Sequence, residues 1–192
     1  IMENLHGIKR TLGSRQKAKK PILINDLKSI INSIDKENNR DKALILVGFS
    51  GGFRRSELVN IEYEDVEFVK EGVKILIKRS KTDQSGEGSI KAIPYFENKE
   101  FCPVIALKNY FNEKFNSKNE GRVFEISDKS VALIIKKYAE KAGLDPSKYA
   151  GHSLRSGFAT TAAEFGAEER NIMAMTGHKT TQMVRRYIQE AN

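Results

Sequence analysis

The sequence predicts an α+β domain, mainly α-helical, with one small three-stranded antiparallel sheet. Three observations carry this. Apolar residues recur at helical spacing through most of the chain. Three short β-rich runs stand together between residues 66 and 94, the last two joined by the turn-rich DQSGEGS segment. At 192 residues the chain suits one domain, able to bury roughly 70% of its unfolded surface.

Residues 1–20 are polar and basic, with Arg15, Lys17, Lys19 and Lys20 crowded before Pro21, and they read as a linker or arm. The domain is expected over 21–192. Asn25 is the predicted N-cap of a first helix in which Leu27, Ile30, Ile31 and Ile34 recur at helical spacing. Ala43, Leu44, Leu46 and Val47 mark a second, more buried helix, punctuated by Gly51 and Gly52. Residues 54–60 read as a short helix with Leu58 and Ile61 inward. Strands follow at 66–69, 73–78 and 89–94. Further helices are expected at 103–115, with Pro103 in its first turn, and at 127–142, 153–165 and 168–175, closed by Gly143, Gly166 and Gly177. A last helix from Thr180 carries Tyr187.

Composition narrows the function. Lys and Arg number 33 against 25 Asp and Glu, a net charge of +8, so an anionic partner is indicated, nucleic acid first. The single cysteine, Cys102, excludes an internal disulfide and fits a reducing compartment, read as cytoplasmic. The longest apolar run, near residues 43–47, is far short of the ~20 residues that cross a bilayer, and no signal peptide heads the chain, so no membrane role is expected.

The chemistry-bearing residues cluster in GHSLRSGFAT, MTGHKTTQMVRRYIQ and GGFRRSELVN. His152 and Arg155 are three apart at the start of a helix, so they share a face near a terminus whose partial positive charge suits an anion. Glu57 stands three residues after Arg54, placed to fix a guanidinium that grips two phosphate oxygens. Each feature alone has an ordinary reading. HxxR can be a surface histidine and a solvated arginine, Arg54 and Glu57 a surface ion pair of about 0.2–0.5 kcal/mol, and Tyr187 a packed ring. His178 can cap the helix that Gly177 ends.

Their conjunction is specific. GxRxSE, a lysine in a β-hairpin, HxxR, then GH with a tyrosine nine residues on resembles the catalytic domain of the tyrosine recombinases, the phage integrase family, from about Ile22 to Gln189. The resemblance implies that Arg54, Lys81, His152, Arg155, His178 and Tyr187 are catalytic and that Glu57 supports them. Lys81 shares its hairpin with Lys78, Arg79 and Lys91, and the ordinary reading of any hairpin cation is solvation by water. It implies that Tyr187 attacks a DNA phosphodiester, that Arg54 and Arg155 hold the phosphate, and that His152 assists proton transfer. His178 would donate a hydrogen bond to the phosphate, and Lys81 would protonate the leaving 5′-oxygen.

The implied product is a 3′-phosphotyrosyl link that conserves bond energy, so no ATP is expected. No metal is expected either: three scattered histidines and one cysteine offer no ligand cluster, and no GxxxxGK[ST] loop appears. The implied partners are double-stranded DNA and other protomers in a tetrameric synapse. The chain opens on Ile1, so an N-terminal DNA-binding domain is expected to precede the 1–20 linker. Only five residues follow Tyr187, which puts exchange of a C-terminal segment between protomers in doubt and makes a monomeric isolated domain the expectation. Competing readings are a type IB topoisomerase-like enzyme, a DNA-binding module that does not cleave, and a metal-dependent nuclease.

Overall fold

A computed structural model describes residues 19–78, 88–114 and 120–191. Eight α-helices and one sheet occupy these residues, in the order α1 (Ile24–Asn32), α2 (Asn39–Ser50), α3 (Arg55–Val59), β1 (Val66–Val69), β2 (Gly72–Ile77), β3 (Ser89–Pro94), α4 (Pro103–Glu113), α5 (Asp128–Lys141), α6 (Ser153–Glu164), α7 (Glu169–Thr176) and α8 (Thr181–Ala191). The sheet is antiparallel in the order β1-β2-β3.

α2 is the central beam. It is buried on nearly every side, because Ala43 to Val47 are apolar all round, and it packs on α4 and α6. α1 lays Leu27, Ile30 and Ile31 against α5. Asn38, not a residue within the helix, caps α2 by accepting the Asp41 N–H at 3.0 Å. Asp41 itself is buried and accepts the Tyr138 hydroxyl at 2.8 Å, so a polar bond ties α2 to α5 through the core.

One sequence expectation changes. Asn25 is not the N-cap of α1: the helix begins at Ile24, with Leu23 at the cap position and no side-chain cap bond. Tertiary contacts set the entry instead. The Ile22 N–H donates to the Ser153 carbonyl at 2.9 Å, Ile22 is fully buried, and Asp26 takes hydrogen bonds from Lys20 Nζ and the Tyr149 hydroxyl.

The core has two parts. A large cluster joins α1–α5, the inner face of the sheet and Leu154 of α6, and a small one of Ala159, Ile172 and Val184 sits between α6, α7 and α8. Tyr187 packs against the small cluster. Among the described residues no helix is long and apolar enough to cross a membrane.

Candidate active site

The site begins where α2 ends. Gly52 adopts a left-handed backbone, φ +57°, which turns the chain sharply before Phe53 and presents the Gly52 carbonyl inward. Arg54 follows at the N-cap position of α3. Glu57, buried on the first turn of α3, receives Arg54 twice: the backbone N–H donates to Oε2 at 2.9 Å and Nη1 donates to Oε1 at 2.6 Å. One carboxylate thus satisfies an orphan helix donor and orients the guanidinium. Arg54 Nη2 lies 3.5 Å from the Gly177 carbonyl, across from the end of α7.

α6 supplies the second arginine. His152 is its exposed N-cap residue and Arg155 lies in its first turn. Arg155 is 5% exposed, and its Nη1 donates to the Gly52 carbonyl at 3.0 Å. Its Nη2 is buried with no hydrogen-bond partner among the described residues. An orphaned donor of this kind costs about 1–3 kcal/mol, and more for a charged group. Burial and the neighbouring Arg54 lower the Arg155 pKa to about 10, which still leaves it protonated at neutral pH. Desolvation, with Arg55, Arg155 and Arg54, also lowers the His152 pKa below the ordinary imidazole value, favouring the neutral ring.

A third cation was read from sequence only as a hairpin lysine that water could solvate. Lys91 of β3 is 5% exposed and points into the site. Its ammonium donates to the Gly51 carbonyl at 2.7 Å and to the Met175 carbonyl, and lies 4.7 Å from the centre of the Phe53 ring. Desolvation pulls its pKa down to about 8. The signal was present in the period-2 pattern of SIKAIP: Lys91 shares the inward face with Ile93, while Ile90 faces out.

α7 and α8 close the site. Gly177, φ +68°, ends α7 in a left-handed cap and returns the chain so that His178 faces back over the last turn. His178 Nδ1 is 2.7 Å from the Thr176 hydroxyl, and its ring centre is 5.7 Å from that of Tyr187. Burial, then Arg155, Arg54 and Lys91, push the His178 pKa down to about 4, so the ring is neutral at pH 7. Arg185 of α8 bonds Glu169 of α7 at 3.2 Å, fixing the helix that carries Tyr187. Lys19, Lys20, His152, Ser156 and Arg186 line a groove together with the half-buried Tyr187.

The fold therefore brings Arg54, Glu57, His152, Arg155, His178 and Tyr187 into one region from three separate stretches of chain. Lys81 and Arg79 lie outside the described residues. Lys78, at the base of the same hairpin, pairs with Glu62, Glu64 and Asp65, the one carboxylate trio among the described residues close enough to hold a cation.

The domain is helical with one three-stranded antiparallel sheet, and an arginine pair, imidazoles and a tyrosine on its last helix share one region. Its backbone superposes on that of the crystal structure of XerA recombinase with a TM-score of 0.71 at 22% identity, covering 91% of this chain and 61% of that one. A XerH site-specific recombinase in a post-cleavage complex with palindromic difH substrate gives the same TM-score at 18% identity, with 94% and 52% covered. In sequence, the chain is 45% identical over 203 residues to an integrase/recombinase xerD homolog of Selenomonas ruminantium, covering 98% of this chain and 59% of that protein. It is 31% identical over 167 residues to tyrosine recombinase XerA of Pyrococcus horikoshii, covering 85% and 55%. The model of the phage integrase family matches residues 22–192, and the chain belongs to that family. It spans little more than half the length of these curated relatives.

Proposed function

We propose that this chain is the catalytic domain of a site-specific recombinase that cleaves and rejoins double-stranded DNA through a 3′-phosphotyrosyl intermediate on Tyr187. The observation that carries the reading is the buried Nη2 of Arg155, a charged donor without a partner among the described residues, in a site shared with Arg54, His178 and Tyr187. A phosphodiester oxygen is the partner such a donor fits.

In this scheme Arg54, oriented by Glu57, and Arg155, anchored on the Gly52 carbonyl, hold the non-bridging oxygens on which charge builds. The Tyr187 oxygen bonds to phosphorus as the bond to the 5′-oxygen breaks. An imidazole takes the phenol proton, and Lys81 gives a proton to the departing 5′-hydroxyl. Attack by a 5′-hydroxyl from another strand reverses the step. The covalent link conserves the bond energy, so no ATP is called for, and the two arginines supply the positive charge at the phosphate that a metal would otherwise bring.

The basic surface is read as the phosphate-facing side, conferring affinity without sequence information. Residues 1–20 are read as a linker to an N-terminal DNA-binding domain, which the greater length of the curated relatives supports. Strand exchange between two duplexes calls for several protomers, and a tetrameric synapse is the arrangement proposed.

The test uses the full-length protein on a nicked suicide duplex in EDTA. A covalent protein–DNA adduct is expected, absent from Tyr187→Phe, which still binds DNA. An adduct that survives in the Phe variant would remove Tyr187 from its role.

A further inference from the structure

Gly151 is buried in the turn before α6, and its backbone lies outside the left-handed region, so its conformation does not call for glycine. Space does. A Cβ at this position would lie 1.8 Å from Cδ of Arg55, 2.6 Å from its Cγ and 2.6 Å from its Nε. The stem of Arg55, the first residue of α3, therefore runs across the bare face of Gly151, and a side chain there would have to push it away.

At the head of that stem is a half-buried guanidinium that makes no hydrogen bond or ion pair with any described residue. Its neighbour Arg54 differs: that side chain turns to the Glu57 carboxylate and the Gly177 carbonyl. Arg55 instead crosses to the segment that leads into His152. After burial, it is the strongest influence disfavouring a proton on the His152 ring, ahead of Arg155 and Arg54. Arg55 thus stands at the His152 side of the site, with its donor fork unused by the protein.

From this placement we infer that Arg55 is a substrate-binding residue, a third guanidinium of the site that grips a backbone phosphate of the cleaved strand next to the scissile one, and that Gly151 is the space that lets it reach. The inference rests on the strand-transfer reading above and extends it. Arg54 and Arg155 take the scissile phosphate, and Arg55 fixes the strand beside it. A guanidinium fork matches the two non-bridging oxygens of a phosphodiester. Each strand of duplex DNA carries a phosphate every ~3.4 Å along its axis, so a site that holds one phosphate has the next at its edge. The stem packed on Gly151 holds the fork in one place, which spares ordering cost on binding.

The test measures duplex binding by full-length protein in a Tyr187→Phe background, where no adduct forms. Arg55→Met keeps an unbranched stem over Gly151 and removes the charge. It should bind about tenfold more weakly, with the salt slope of log affinity reduced by about one. Gly151→Ala, which displaces the stem while Arg55 is retained, should weaken binding likewise at an unchanged urea midpoint. Duplexes carrying a neutral methylphosphonate at single positions then locate the contact. At one phosphate adjoining the scissile one, the substitution should weaken binding to the Arg55 protein, and Arg55→Met should lose nothing further there. Unchanged affinity and slope in Arg55→Met, or losses that add at every adjoining phosphate, overturn the inference. If Arg55→Met does not fold, full affinity in Gly151→Ala overturns it equally. A protein with Tyr187 intact that forms no adduct on the suicide duplex would instead sink the strand-transfer reading, while the binding series still decides whether Arg55 holds a phosphate.

Discussion

Arg54 and Glu57 differ from an exposed i,i+3 pair in their environment: the side chains are 18% and 4% exposed, and the carboxylate also takes the Arg54 backbone N–H. Loss of the carboxylate leaves a half-buried guanidinium without its nearest counter-charge. Glu57→Ala is therefore expected to lower stability by about 2–3 kcal/mol, and Glu57→Gln, which keeps an acceptor, by about 1 kcal/mol, as measured by urea unfolding. Lys91 makes a prediction of a different kind. Its folded pKa of about 8 lies below the ordinary 10.5, so between those values the unfolded chain holds a proton that the folded one has lost. Stability from this group should thus rise as pH increases from about 8 toward 10.5. Lys91→Met should abolish that rise and cost roughly 1–3 kcal/mol, since the Gly51 and Met175 carbonyls lose their donor. Parallel pH–stability curves for the two proteins would rule this out. Lys81 is separable by chemistry: a sulfur at the 5′ leaving position hardly needs an acid, so Lys81→Ala should recover on that substrate. Equal slowness there would reject the leaving-group role.

Among the elements, the turn from α2 into α3 carries the most consequence for its length. Gly52 combines φ +57° with a carbonyl that accepts from Arg155, and a Cβ there would lie 2.9 Å from Phe158 Cδ1. Gly52→Ala is expected to cost about 1–2 kcal/mol in stability. It should reduce adduct formation further than that loss explains, because the shifted carbonyl moves Arg155; a variant equally stable and active would show that the turn tolerates a side chain. Most elements were legible from periodicity, since most helices show an apolar stripe and the strands are short and rich in Val and Ile. The start of α1 was not. Asn25 has the right chemistry for a cap, but docking of Ile22 on Ser153 sets the entry. Lys91 was missed for a related reason. Strand alternation put it on the inner face, yet nothing local shows that three backbone carbonyls wait there.

For the whole molecule, the net charge of +8 predicts salt-dependent DNA binding in which log affinity falls linearly with log salt. Arg54→Ala should reduce that slope by about one, whereas Phe165→Ser, at a residue 82% exposed and uncharged, should leave it unchanged. Titration of duplex at several salt concentrations decides it, and an unaltered slope in Arg54→Ala would remove that residue from the phosphate contacts.

Apolar period along the chain was enough to predict the helical architecture, and the order and spacing of GGFRRSEL, HSLR and GHKTTQMVRRY to define the family and the candidate residues, because residue type and local period are properties of the chain itself. Tertiary structure alone decided how those residues are conditioned. The Gly52 carbonyl anchors Arg155, Lys91 joins the ends of α2 and α7, and Thr176 orients the imidazole of His178. These are contacts between segments far apart in sequence or, for Thr176 and His178, a side-chain geometry set where α7 ends. Burial and hydrogen-bond geometry set them, and neither exists until the chain has folded.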